Sequence, residues 1–303
     1  MLKRPSGYSM PKHLWAHLAL LGANLIYGAN YTIAKEVMPD YVQPMGLVVL
    51  RCLGAVPLYW LVGLHFKEKM QRDDFPRLII CAVFGIAINQ LLFLKGLNLT
   101  VPINAAVIMT STPILVLIVA AVLIRERITV LKASGIALGM AGALLILLAG
   151  KEVSFSSDTF VGDLLIFFNA TFYGVYLVMV KPLLERYHPI TVMKWVFLFG
   201  FVMVLPFGFT EMNEVSWSTM PPRIMAATAF VVFGLSFFAY LFNSIGLRQL
   251  SPSVVSIYIY LQPLLASMFA IIAGKDLLTG VKVASAMLIF LGVYLVSGRK
   301  QTA

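Results

Sequence analysis

Apolar blocks of about 20 residues alternate with short polar connections along the whole chain. A helix rises about 1.5 Å per residue, so about 20 residues cross the hydrocarbon core of a bilayer. Ten such blocks are read, at roughly 14–34, 43–64, 77–97, 103–123, 130–149, 162–182, 191–210, 225–246, 253–273 and 279–297. The longest gaps, near 65–76, 150–161 and 211–224, are too short for a soluble domain. The pattern predicts an all-α integral membrane protein with ten transmembrane helices. Lys3, Arg4 and Lys12 precede the first block as they would in a signal peptide. That block is long and no small-x-small cleavage site follows, so an uncleaved first helix is expected.

The pattern repeats. Residues 91–148 align without a gap on residues 241–298, at a constant offset of 150. Gly96-Leu97 falls on Gly246-Leu247, Pro102 on Pro252, Pro113 on Pro263, Lys132 on Lys282 and Gly142 on Gly292. Upstream, Tyr27-Gly28 with Lys35 matches Tyr173-Gly174 with Lys181. Two units are expected, residues 1–150 with spans 1–5 and residues 151–303 with spans 6–10. Five is odd, so the second unit enters the membrane upside down. Two inverted five-helix repeats related by an axis in the membrane plane can exchange conformations, closing one side and opening the other.

Polar side chains at bilayer depth are costly, and their placement is selective. Span 1 carries Asn24, Tyr27 and Tyr31; span 3, Asn89 and Gln90; span 4, Asn104, Thr110, Ser111 and Thr112. Span 6 carries Asn169, Tyr173 and Tyr176; span 8, Ser236, Tyr240 and Asn243; span 9, Tyr258, Tyr260 and Gln262. The middles of spans 2, 5, 7 and 10 are apolar or small apart from Arg51. Taken singly, each polar residue reads equally well as an interhelical hydrogen-bond partner, worth about 0.6 kcal/mol. Taken together, the same three spans of each repeat are chosen, which favours a shared cavity. Asn24, Tyr27, Asn89, Gln90, Ser111, Asn169, Tyr173, Tyr240, Tyr258 and Gln262 are its candidate substrate-binding residues.

Arg51 is the one charge well inside a span, about 12 Å from the start of span 2. It is either a snorkelling or structural charge or a cavity cation that would favour carboxylate-bearing or otherwise anionic substrates. Pro113 and Pro263 lie mid-span and each removes a helical hydrogen bond. They mark either static kinks or hinges. Gly135, Gly139 and Gly142 give span 5 a small-residue face, expected to pack against span 10 through Ala284, Ser285 and Gly292, with a homodimer contact as the alternative. Glu36, Glu126, Asp163 and Asp276 all sit near span ends, so no deep carboxylate relay is visible. Cys52 and Cys81 read as small hydrophobes. His13, His17, His65 and His188 form no metal-ligand spacing, and neither a metal nor a cofactor is expected.

Charge sets the sidedness. Hydrophobic residues make up 60% of the chain and charged residues 12%, with a net charge of +10. Placing the N-terminus in the cytoplasm puts sixteen Lys and Arg inside and six outside, which predicts cytoplasmic termini in a bacterial inner membrane. The positive balance reads as this bias and as attraction to anionic lipid, not as a nucleic-acid surface.

The stretch Ile103-Asn104-Ala105-Ala106, Pro113, Leu123-Ile124-Arg125-Glu126-Arg127, Gly135, Gly139 and Gly142 resembles the end of an EamA repeat, from the drug/metabolite transporter superfamily. The second copy departs from it at Lys275-Asp276, where no Arg follows. The resemblance implies a secondary transporter, often an exporter, with a cavity walled by spans 1, 3, 4, 6, 8 and 9. It implies a structural or gating role for Glu126 and Asp276. The family handles amino acids, drugs, purines and sugar conjugates, so the resemblance does not choose a substrate.

The expected function is a small-molecule carrier working by alternating access and exporting amino acids or related metabolites. A passive channel or lipid scramblase is the alternative. An intramembrane lipid-modifying enzyme is disfavoured, because no H-E-x-x-H, deep acid pair or His beside the mid-span hydroxyls occurs. No Walker loop is present, so the chain is not itself an ATP-driven pump.

Overall fold

A computed structural model describes residues 12–149, 157–272 and 277–297, the side chains of Lys12, His13, Tyr31 and Ala270 excepted. The expectations for Lys3, Arg4, Lys151, Lys275, Asp276, Arg299 and Lys300 lie outside the described residues, as does the side chain of Tyr31. The described chain is all-α. Its helices are α1 Lys12–Val37, α2 Pro44–Gly63, α3 Arg72–Leu99, α4 Pro102–Leu123 and α5 Val130–Leu148, then α6 Phe160–Arg186, α7 Pro189–Asn213, α8 Pro222–Gln249, α9 Pro252–Phe269 and α10 Gly280–Ser297. The last nine are long and apolar enough to cross a membrane. The 26-residue α1 is long enough as well but carries Asn24, Asn30, Lys35 and Glu36. Ten helices as two inverted five-helix repeats are therefore the architecture.

Local chemistry sets the helix starts. Proline stands in the first turn of α2, α4, α7, α8 and α9, where its missing N–H costs nothing. Thr129 caps α5 by accepting from the Lys132 N–H, and Thr279 does the same for α10 from the Lys282 N–H. These are matched positions of the two repeats.

Packing follows the pseudo-twofold. Helices α2 and α7 pack on each other across the axis, as do α5 and α10. The pair α3–α6 has its counterpart in α1–α8, and α4–α6 in α1–α9. The small face of α5 is used within the chain. A methyl added to Gly292 would stand 2.6 Å from the Gly135 carbonyl oxygen, and one on Gly142 would stand 2.8 Å from that of Ser285. No residue but glycine fits so close a backbone approach.

Polar ties at the two ends fix the inversion. The 2–3 and 6–7 connections meet at one end. There Arg186 Nη1 lies 3.0 Å from Asp74 Oδ1, the Tyr187 hydroxyl donates to Asp74 Oδ2, and the His188 N–H donates to Glu68. This is the Arg- and Lys-rich end of the sequence analysis. At the other end Arg223 pairs with Glu36, and the Gly46 N–H donates to Glu211. Glu126 stands at the turn out of α4. Arg125 takes a left-handed φ of 55° to turn the chain out of α4, and Glu126 then holds Lys132 at 2.7 Å.

Four helices are irregular in matched pairs. In α4 the α-helical pieces Pro102–Met109 (α4a) and Thr112–Leu123 (α4b) are separated by a turn at Thr110 and Ser111. In α9, whose helix runs past the span window to Ile272, the pieces Pro252–Ile257 (α9a) and Leu261–Ile272 (α9b) flank the 3-10 turn Tyr258–Tyr260. Pro113 and Pro263 lie just after these breaks. A π stretch, Val83–Ala87, interrupts α3, and another, Phe230–Ala239, interrupts α8.

Candidate functional site

The breaks and π stretches surround one cavity of about 700 Å³ including its open mouth. Its wall draws Asn24, Tyr27 and Asn30 from α1, and Asn89, Gln90 and Phe93 from α3. Met109 comes from α4, and Asn169 and Tyr173 from α6. Leu235, Tyr240 and Asn243 come from α8, and Val255, Ile259 and Gln262 from α9. These are the six helices singled out by their polar residues. The seventh contributor is Arg51 of α2. Arg51 lines the cavity and is only 3% exposed.

The cavity's polar groups fall into two sets. One set is fastened. Asn89 and Asn169 each donate a side-chain N–H to the other's backbone carbonyl, tying α3 to α6. The Gln262 amide donates to Asn24 Oδ1 at 2.9 Å, tying α9 to α1. Asn243 donates to the Tyr173 hydroxyl, and the Tyr240 hydroxyl donates to the Gly85 carbonyl in the π stretch of α3. Glue and cavity wall are thus the same residues.

The other set is free. The Tyr27 hydroxyl, Asn30 Oδ1 and both amide atoms of Gln90 are buried and have no well-directed hydrogen-bond partner among the described residues, although Tyr27 lies beside Tyr173 and Gln90 beside Tyr240. A buried polar atom without a partner costs about 1–3 kcal/mol, so these atoms can take up a water or a polar group of a ligand. Arg51 Nε donates to Ser236 Oγ at 3.0 Å, and no carboxylate among the described residues lines the cavity. The π stretch of α8 also exposes the carbonyls of Ser236 and Phe237, which accept from the Tyr59 hydroxyl. This stretch is how α2 and its arginine are held against the site.

Of the ten candidate substrate-binding residues, eight line the cavity and two do not. At the break in α4 the Ser111 hydroxyl turns back to the Ile108 carbonyl, as Thr110 does to that of Val107. Each hydroxyl thus reinforces a carbonyl that also accepts the backbone N–H of the same residue in the i+3 turn at the break. Tyr258 points away from the cavity, where its hydroxyl bonds to Nδ1 of His17 on α1. Asn30 was missed although it follows Tyr27 by one helical turn. Cys52 and Cys81 are buried and unpaired, and no metal-binding group of His, Cys, Asp or Glu occurs among the described residues.

The cavity is shut at one end and parted at the other. At the Arg- and Lys-rich end α9a packs on α4b, and every residue from Ser253 to Ile259 is buried. The matched pair at the other end, α4a with α9b, has no comparable packing. There Ile103, Ala106, Val107, Ile108 and Met109 are half-exposed.

The EamA-like transporter family model matches residues 14–148 and again residues 160–298. An uncharacterized transporter of Bacillus subtilis, YyaM, is 27% identical over 95% of each chain. A terminal-alkyne amino-acid exporter of Streptantibioticus cattleyicolor, so named with the qualifier probable, is 25% identical over 87% of this chain and 86% of its own. A solved crystal structure shares 19% identity at a TM-score of 0.75, covering 92% of this chain and 95% of that one, which supports the fold. Two matches, one over each five-helix repeat, account for nearly all of the described residues, and the chain belongs to the EamA-like transporter family.

Proposed function

We propose that this chain is a secondary carrier that works by alternating access and exports amino acids or related metabolites across the bacterial inner membrane, with both termini cytoplasmic. The observation that carries the reading is the polar cavity between the two repeats, closed by α9a on α4b and parted between α4a and α9b. The two junctions are pseudo-symmetric, so exchanging their conformations presents the same side chains to the opposite side. Breaks at matched depths in α4 and α9 give each helix a bend point for that exchange. With the Arg- and Lys-rich end in the cytoplasm, the observed cavity opens outward. The amino-acid assignment draws on the exporter from Streptantibioticus cattleyicolor, a relative of this chain.

Reconstituted protein tests the reading. Proteoliposomes loaded with an unlabelled amino-acid panel should take up labelled amino acid by counterflow, saturably and with preference for one enantiomer. Non-saturable leakage would fit a channel, and lipid exchange between leaflets would fit a scramblase. Either result without counterflow would overturn the proposal.

A further inference from the structure

Resting on the carrier reading, the geometry points to a substrate class: a small monocarboxylate with an apolar or aromatic body, its carboxylate held by Arg51. The charge balance is the first reason. Among the described residues the cavity wall contains one guanidinium and no carboxylate, and none of the salt bridges involves Arg51. A buried cation is stable only when paired or solvated, so a ligand that expels the cavity water must bring the missing negative charge. One negative charge balances it, and a dianion overshoots.

Geometry gives the second reason. Ser236 occupies the Nε–H of Arg51. The Tyr240 side chain also lies within reach of the guanidinium, and the paired N–H groups of the terminal nitrogens match the two oxygens of one carboxylate. The free groups around it are neutral: Tyr27, Asn30 and Gln90 can serve a second polar group of the ligand but cannot neutralise an ammonium. The rest of the wall sets the body of the ligand. Tyr27, Phe93, Tyr173 and Tyr240 present rings, and Met109, Leu235, Val255 and Ile259 present aliphatic surface. Bare amines and basic amino acids are therefore excluded; a deaminated apolar acid balances Arg51 fully, and a zwitterionic apolar amino acid brings the same carboxylate with its ammonium left to the neutral oxygens of Tyr27, Asn30 and Gln90.

Equilibrium binding to the full chain in lipid nanodiscs tests this without depending on flux. The probes form two matched sets. The first is phenylalanine, 3-phenylpropionate, phenylalaninamide and phenethylamine; the second is leucine, 4-methylpentanoate, leucinamide and isopentylamine. In at least one set, the two acids are expected to bind about 10- to 100-fold more tightly than the amide and the amine, the range of a charge-assisted hydrogen-bond pair. Inorganic phosphate and a short-chain phosphatidic acid are the competing anions and should displace the acid poorly. Arg51→Gln should remove the discrimination, and Arg51→Lys should restore part of it. Acids and amides binding alike to the unmodified protein, or no acid binding in either set, would overturn the proposal, whatever the variants do. So would phosphate or the phosphatidic acid binding more tightly than every acid. Selective acid binding without counterflow would support the anchor and overturn the carrier reading. Counterflow of acids and amides alike would overturn the anchor and leave the carrier.

Discussion

The two junctions between α4 and α9 are built from matched sequence yet stand in different states. At the Arg- and Lys-rich end α9a lies buried on α4b, and the Tyr258 hydroxyl is bonded to His17 of α1. At the other end α4a stands off α9b, with Val107 and Ile108 half-exposed where Ile257 and Tyr258 are buried. The tie there runs behind the cavity. Asp163 at the start of α6 accepts from Thr100, Asn104 and Thr159 and holds the end of α4a to α6 without closing it on α9b. One backbone pattern thus supports both a closed and an open junction. The difference between them lies in helix packing and a few hydrogen bonds, which is the scale on which a carrier can switch.

The largest expected effect is in accessibility. In a background lacking Cys52 and Cys81, cysteine at Val107 should react with a water-soluble maleimide from the open end. Cysteine at Ile257, the matched position, should stay protected. Equal labelling at both would erase the comparison.

Next in size is the pair Asn24 and Gln262, which joins α1 to α9 inside the cavity. Gln262→Ala leaves a buried Asn24 oxygen without its donor, at a cost of about 1–3 kcal/mol. Counterflow should fall severalfold while the protein stays monodisperse. Unchanged counterflow in Gln262→Ala and Asn24→Ala would reduce this pair to packing.

A smaller shift is expected from Tyr258→Phe, which removes the hydrogen bond to His17 at the closed junction. A net hydrogen bond is worth about 0.5–1.5 kcal/mol, so the equilibrium should move up to roughly tenfold toward opening at that end. Raised maleimide labelling of a cysteine at Ser256 would register it, and unaltered labelling would place the closing force in apolar packing alone.

The smallest effect concerns pH at the closed end. Partial burial, reinforced by Arg248 and opposed by Glu68, holds the His188 imidazole below its ordinary value of 6.5. The folded protein thus favours neutral His188. Its contribution is complete above about 6.5 and is lost as pH falls through the depressed value. The melting temperature in nanodiscs should drop slightly on acidification from pH 7 to pH 5. His188→Asn keeps a side chain able to accept from the Ile190 N–H at the start of α7 and should blunt the drop.

Much of this was legible in the sequence, for a definite reason. Lipid permits few structures, so apolar run length gives the spans, and an odd repeat of five dictates inversion. The six cavity helices followed from the cost of polar groups at depth. Helical periodicity failed where the helices are not regular. Tyr258 and Gln262 share a face only on an unbroken α-helix, and the 3-10 turn between them, with 3.0 residues per turn, swings Tyr258 away. Ser111 sits at a break and serves its own backbone. The π stretches have no composition signal, so neither the Tyr59 contacts nor the seat of Arg51 against Ser236 could be read ahead. Asn30, at i+3 from Tyr27, lies on the same helical face and was within reach of the periodicity argument.

Paired distance measurements give the most direct test of reciprocal opening. Spin labels at Val101 and Ile272 report on the parted junction, and labels at Ile124 and Gln249 on the packed one; all four positions are exposed. Adding a transported substrate should shorten the first distance and lengthen the second within one population of molecules. If both distances stay fixed, or both change in the same direction, the two junctions do not exchange states and the carrier account fails.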